Sequence, residues 1–168
     1  MQNSRYVKRF VVDTGLLLIH AASIYENGRL LEKAVTFLKI PKPDIEGLAR
    51  MIDRLFSSVG EILVTPYVLA EFCNLAQSRL DLREGKLEEF LNLYNGFILK
   101  LKEWHCKKEE LIAFKESLKF CFTDSSVALA SKREGIPLFT IDGKLVGFCK
   151  SKGIEAKHVY YEFYLNTR

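Results

Sequence analysis

Between Phe122 and Phe148 the chain reads F-T-D-S-S-V-A-L-A-S-K-R-E-G-I-P-L-F-T-I-D-G-K-L-V-G-F, with two aspartates, Asp124 and Asp142, each opening a helical pattern. After Asp124 the apolar residues Val127, Ala128, Leu129 and Ala130 lead to Gly135, the punctuation of a short helix ended by glycine. Residues 137–141 then read as a buried strand, Asp142 ends it, and residues 143–152 predict a second helix stopped by Gly153. Two carboxylates therefore stand where strand hands over to helix. In an open α/β sheet, ligands bind beyond the carboxyl ends of the strands.

The same alternation runs through the rest of the chain. Residues 7–12 form a strand-like run, Val-Lys-Arg-Phe-Val-Val, that ends at Asp13. Thr14 is placed to cap residues 16–25, which are apolar nearly all round, as in a helix packed on a sheet. Asn27-Gly28 ends that helix, and residues 29–40 carry a mixed pattern that assigns neither helix nor strand. After the Pro41-Lys42-Pro43 break, Ile45, Leu48, Ile52, Leu55 and Phe56 recur at helical spacing up to Gly60, and residues 61–65 read as a strand. Pro66 suits a first helical turn, with Val68, Leu69, Phe72, Leu75 and Ala76 on one apolar face and Glu71 a turn inside. Residues 80–120 predict two helices meeting near residues 104–108. Residues 156–161 predict a last strand, and the aromatic tail of Tyr160, Tyr161, Phe163 and Tyr164 packs on the body or meets another subunit. Strands alternating with helices predict an α/β fold, with a parallel central sheet of about four to five strands and helices on both faces.

Composition narrows the classes. A length of 168 residues with 48% hydrophobic and 27% charged side chains suits a single soluble domain over residues 1–168. No apolar run approaches the ~20 residues of a membrane-spanning helix. Residues 1–6 lack an apolar core of signal-peptide length, so the expected location is cytoplasmic. Cys73, Cys106, Cys121 and Cys149 are widely spaced without a C-x-x-C pair, which predicts reduced thiols and leaves His105-Cys106 with no second half for a zinc site. The net charge of +4 permits an anionic partner without requiring one.

Asp13, Asp124 and Asp142 fall at strand-to-helix handovers, and Glu71 falls a turn into the helix after residues 61–65. Brought together, these carboxylates repel one another, and a hard divalent cation with oxygen ligands, Mg²⁺ or Mn²⁺, relieves that repulsion. No His, Ser or Cys is placed as a covalent nucleophile, so direct attack by water is the simpler chemistry. Taken singly, Asp124 and Asp142 are accounted for as helix N-caps, worth about 1 kcal/mol each, and Glu71 as a solvated helix residue. Asn74, one turn after Glu71, either positions the site through its amide or is solvated. Lys100, Lys102, Lys107 and Lys108 with Trp104 between them look like a nucleic-acid-binding stripe, but Glu103, Glu109 and Glu110 dilute it into a solvated helical face. Lys132, Arg133, Lys144, Lys150 and Lys152 either lead phosphates toward the aspartates or offset helix dipoles. His20 and His158 read as packed side chains rather than ligands.

The order of these pieces resembles that of the PIN domain, a nuclease fold in which acids from separated parts of the chain hold divalent metal. The matching residues are Val11-Val12-Asp13-Thr14, Pro66-Tyr67-Val68-Leu69-Ala70-Glu71, Thr123-Asp124-Ser125-Ser126-Val127-Ala128-Leu129-Ala130 and Phe139-Thr140-Ile141-Asp142, and they span nearly the whole chain. The resemblance implies Asp13, Glu71, Asp124 and Asp142 as the catalytic and metal-holding residues, with Thr14 and Thr140 as polar neighbours. It implies Mg²⁺ or Mn²⁺ as cofactor and hydrolysis of RNA phosphodiester bonds by an endoribonuclease. The role is that of a toxin paired with an antitoxin or of an RNA-processing enzyme, and a homodimer is in keeping with the family. Many relatives carry a further acid after the last one, whereas Gly143, Lys144 and Leu145 follow Asp142 here, which leaves the number of ions open. That departure favours the alternative, a non-catalytic PIN-like module that binds RNA or protein. An acid-cluster phosphatase would carry a second Asp two residues after its nucleophile, and Asp13-Thr14-Gly15 lacks it.

Overall fold

The computed structural model describes residues 8–40, 45–83, 85–114 and 119–161. β1 (Arg9–Val12), β2 (Glu61–Val64), β3 (Lys102–Glu103), β4 (Leu138–Thr140) and β5 (Ala156–His158) form one parallel sheet in the order β3-β2-β1-β4-β5. Val11 of the central strand lies opposite Leu63 on one side and Leu138 on the other. Successive strand residues point to opposite faces, yet Phe10, Val11 and Val12 are all buried, so helices cover both sides of the sheet. The α/β class with a parallel sheet between helical layers is the observed architecture.

The helix after β1, α1 (Thr14–Ile24), has no polar face, and Leu16, Leu17, Leu18 and Ile19 are wholly buried. Its cap is Asp13 rather than Thr14: the Asp13 side chain accepts the Thr14 N–H, which leaves Thr14 as the first helical residue with its hydroxyl available elsewhere. His20 is the packed side chain expected of it, with Nδ1 2.8 Å from the Tyr94 hydroxyl and the ring edge-on to Phe56. Burial lowers its pKa. The unassigned residues 29–40 contain α2 (Leu31–Phe37), entered through a 3-10 turn at Tyr25–Gly28 in which Glu26 and Asn27 take left-handed φ of 44° and 57°. α3 (Ile45–Ser57) precedes β2, and α4 (Pro66–Arg79) follows it with Pro66 in the first turn and Thr65 as cap.

Among the described residues of 80–120 the two helices do not meet near Trp104, because a strand separates them. α5 (Gly85–Ile98) gives way to β3, whose Lys102 registers with Leu63, and then to the short α6 (Lys108–Ala113). A two-residue strand of Lys102 and Glu103 has no apolar alternation, so it carries no periodic signal in the sequence. The Lys and Trp stripe is accordingly no helical face. Lys102 sits 3.3 Å from Glu61, and the Trp104 indole N–H donates to Glu134 at 3.0 Å.

α7 (Phe122–Glu134) begins before Asp124, with Cys121 as its cap, and ends at Gly135 in the left-handed region at φ 63°. Asp124 is therefore neither an N-cap nor the end of a strand; it lies in the first helical turn. Carboxylates are favoured throughout that turn by its exposed N–H groups, so the same residue pattern fits a start three residues later. Asp142 does cap α8 (Gly143–Ser151), its Oδ1 accepting the N–H groups of Lys144 at 2.7 Å and Leu145 at 3.2 Å. The last strand is shorter than residues 156–161, because β5 ends at His158 and the chain turns helical. Tyr160 packs on the body while Tyr161 is 54% exposed. Val7, the Pro41-Pro43 break, Phe163 and Tyr164 lie outside the described residues. Cys73, Cys106, Cys121 and Cys149 are free thiols. Among the described residues no helix is long and apolar enough to cross a membrane.

Candidate active site

In the order β3-β2-β1-β4-β5 the chain winds one way from β1 and the other way from β4, so the topological switch point lies between these two neighbours. Asp13 follows β1, and Thr140 ends β4 with Asp142 two residues on. The pairing of Val12 with Phe139 sets Asp13 beside Thr140. The Thr140 hydroxyl donates to Asp13 Oδ2 at 2.6 Å and accepts the Asp142 N–H at 2.9 Å. On the other side Asp13 Oδ1 accepts the Thr14 N–H at 2.7 Å, and the Thr14 hydroxyl donates to Glu71 Oε2 at 2.6 Å. One chain of hydrogen bonds joins Asp142, Thr140, Asp13, Thr14 and Glu71.

Asp124 arrives on α7, which packs against α4 and β1. Thr65, the α4 cap, and Ser126 of α7 bring their hydroxyl oxygens within 2.7 Å of each other, and both residues are buried. Because the Ser126 hydroxyl donates to the Thr123 carbonyl at 2.7 Å, Thr65 is the donor to Ser126. This pair clamps the first turn of α7 against the start of α4. As a result Asp13, Glu71, Asp124 and Asp142 all line one cleft of about 640 Å³. Asp13 is buried, Glu71 and Asp124 are half-buried and Asp142 is exposed.

Burial pushes the Asp13 carboxyl up to about 7; the Thr140 hydrogen bond opposes the shift, and the charges of Asp124 and Glu71 add to it. Asp124 is raised to about 6, first by burial and then by the charges of Asp142 and Glu71, against a hydrogen bond from the Cys121 thiol. The carboxylates thus act on one another, and an all-oxygen set of this kind suits a hard divalent cation. Among the described residues, however, no three Asp, Glu, His or Cys side chains are gathered into a metal-ligand cluster. Both Asp13 oxygens take hydrogen bonds, while Glu71 and Asp142 each commit one oxygen and have a second outside these bonds.

The cleft also holds residues that the sequence reading left out: Phe37, Leu38, Leu75, Cys121 and Ile141. Lys144, which the sequence left between leading phosphates inward and offsetting a helix dipole, joins them in the cleft. Cys121 carried no signal, since its position depends on how α7 starts; burial raises its thiol pKa. Asn74 is exposed and is absent from the cleft lining. Gly15 keeps the wall in place, because a Cβ there would lie 2.9 Å from the Ile141 side chain.

Fold and site together define a parallel-sheet α/β protein with an acidic cleft at its switch point. No protein-family model matches the chain, and no curated protein matches it.

Proposed function

We propose that this chain is a PIN-like, metal-dependent endoribonuclease. The observation that carries the reading is the single cleft lined by Asp13, Glu71, Asp124 and Asp142, in which burial and the charges of neighbouring carboxylates raise Asp13 and Asp124. Bound there, Mg²⁺ or Mn²⁺ would supply a water of lowered pKa and neutralise phosphate charge. Asp13, Asp124 and Asp142 would hold the ion directly or through water. Glu71, oriented by the Thr14 hydroxyl, would hold the attacking water and take its proton. Lys144, in the same cleft, would meet a phosphate oxygen. A cytoplasmic role as a toxin held by an antitoxin or as an RNA-processing enzyme, and a homodimeric state, belong to this reading.

Lys144 also favours a second reading, because a cation stands near the position where a further acid would complete the ligand set. In that reading the chain is a non-catalytic PIN-like module that binds RNA or protein. The test is cleavage of RNA with Mg²⁺ or Mn²⁺ against chelator. Cleavage in the wild type, abolished by chelator and lost in Asp13→Asn and Asp124→Asn, is expected. Undiminished activity in those variants removes the proposal. Stability separates the two readings: a metal-binding native state gains about 2.7 kcal/mol when the free ion reaches about 100 times its Kd, whereas a metal-free module does not.

A further inference from the structure

The cations that follow Asp124 and Asp142 in the chain are sorted by the helices that carry them. Lys132 and Arg133 lie in the last turn of α7 and Lys150 in the last turn of α8, where the unpaired carbonyl groups of a helix end favour positive charge. Lys152 is the residue that closes α8. Lys144 is placed the other way round. It is the second residue of α8, in a first turn whose free N–H groups already carry partial positive charge, so an ammonium there is disfavoured by its own helix. Offsetting a helix dipole therefore accounts for the other cations and not for Lys144. Its charge is also uncommitted: among the described residues Lys144 enters no ion pair, whereas the Lys102 ammonium lies 3.3 Å from Glu61 and that of Lys157 lies 3.4 Å from Glu155.

The cleft supplies the reason that the helix does not. Lys144 lines it together with Asp13, Glu71, Asp124 and Asp142. These acids run from closed to open, with Asp13 buried, Glu71 and Asp124 half-buried and Asp142 exposed. Lys144 is exposed as well, and its backbone N–H donates to Asp142 Oδ1 at 2.7 Å, so acid and cation stand together at the open end. Four ionised carboxylates carry more charge than a single divalent ion cancels, and two-ion sites meet the remainder with a second ion. At the open end of this cleft a second ion would face the Lys144 ammonium, and like charges repel.

We propose that the Lys144 ammonium supplies the positive charge that a second ion brings in two-ion sites, so that the cleft takes one divalent ion and Lys144 meets the substrate phosphate. The inference rests on the nuclease reading of the cleft and assigns its ion number. An ammonium is a compact charge on a flexible stem, which suits contact with a phosphate oxygen without the fixed ligand directions that an ion imposes.

The test counts Mn²⁺ bound to the full chain, read from the loss of the free-ion electron paramagnetic resonance signal, and needs no cleavage. Wild type is expected to bind a single ion. Lys144→Glu places an acid in the first turn of α8, where the helix favours it, and is expected to bind two. Lys144→Gln removes the charge without adding a carboxylate. It is expected to keep a single ion and to slow single-turnover cleavage about 10²- to 10³-fold, the loss typical of removing one group that stabilises developing charge. Lys144→Arg, which keeps the charge, is expected to retain most of the wild-type rate. Two ions in wild type, or one in Lys144→Glu, would overturn the proposal, as would full-rate cleavage in Lys144→Gln or equal losses in the Gln and Arg variants. Absence of any bound ion in wild type would remove the nuclease reading and this inference with it, whereas two ions would leave that reading standing and remove only the role of Lys144.

Discussion

Thr140 donates its hydroxyl to Asp13 Oδ2 at 2.6 Å while accepting the Asp142 N–H at 2.9 Å, so one side chain at the end of β4 fixes two of the four cleft acids. Asp13 is buried, and its carboxylate has few alternatives to these partners. Thr140→Val keeps the shape and removes both bonds, leaving an Asp13 oxygen and the Asp142 N–H unmatched. The expected loss is about 1–3 kcal/mol in denaturant unfolding, since removing one partner strands the other. Thr140→Ser, which keeps the hydroxyl, is expected to retain most of that stability and the orientation of Asp13. Equal losses in both variants would mean that the Thr140 methyl, not its hydroxyl, holds this corner.

The raised carboxyls give a pH dependence of definite sign. Asp13 rises from 3.8 to about 7 on folding and Asp124 from 3.8 to about 6. Between those limits the folded chain keeps protons that the unfolded chain has released. This contribution to stability is complete below 3.8 and is lost as the pH climbs through the folded values. His20, lowered by burial, acts in the opposite direction, its contribution being lost as the pH falls through its ordinary 6.5. The informative quantity is therefore the difference in Tm between wild type and Asp13→Asn in chelator, from about pH 5 to about pH 8. Wild type is expected to lose ground to the variant as pH rises, and saturating Mn²⁺ to restore it. A difference that stays flat with pH would rule out a buried, raised Asp13.

The Thr65 and Ser126 hydroxyls, 2.7 Å apart and buried, link α4 to the first turn of α7. Ser126→Ala leaves the Thr65 hydroxyl without its acceptor while the α4 cap to Val68 persists. The expected cost is about 1–3 kcal/mol, with a fall in any Mg²⁺-dependent cleavage as Asp124 loses its fixed distance from Glu71. Thermal unfolding and single-turnover cleavage of the same preparation check the two effects.

Gly15 faces Ile141 across the entrance of α1. In Gly15→Ala the new Cβ would approach Ile141 Cγ1 and Cδ1 at 2.9 Å, so Ile141 must turn aside into the cleft that it lines. Overpacking of this kind costs about 1–3 kcal/mol. The double variant Gly15→Ala with Ile141→Val is expected to recover part of the stability and of the cleft volume. A single variant as stable as wild type would show that Ile141 has room to move.

Local chemistry carried much of this molecule in its residue order. The β-branched runs before Asp13 and Thr65, the glycine after α7, the proline opening α4 and the aspartate capping α8 all act on neighbours within a turn or two, so they can be read without knowing what lies beyond. The same locality explains the failures. Asp124 fits a cap and a first-turn position equally well, and only the packing of Thr65 on Ser126 shows where α7 starts. Lys102 and Glu103 become a strand because β2 presents a free edge, not because their side chains alternate.

The sequence by itself determined an α/β alternation and put Asp13 and Asp142 at strand ends and Glu71 a turn into the helix after its strand. Only the tertiary structure decided that β1 neighbours β4, that the switch point falls between them, and that Cys121, Lys144 and Phe37 share the cleft with the acids. The bonds that assemble the site join residues 57 and 127 positions apart. Such pairings depend on strand register and on burial of the whole core, and no periodicity within a single segment can express them.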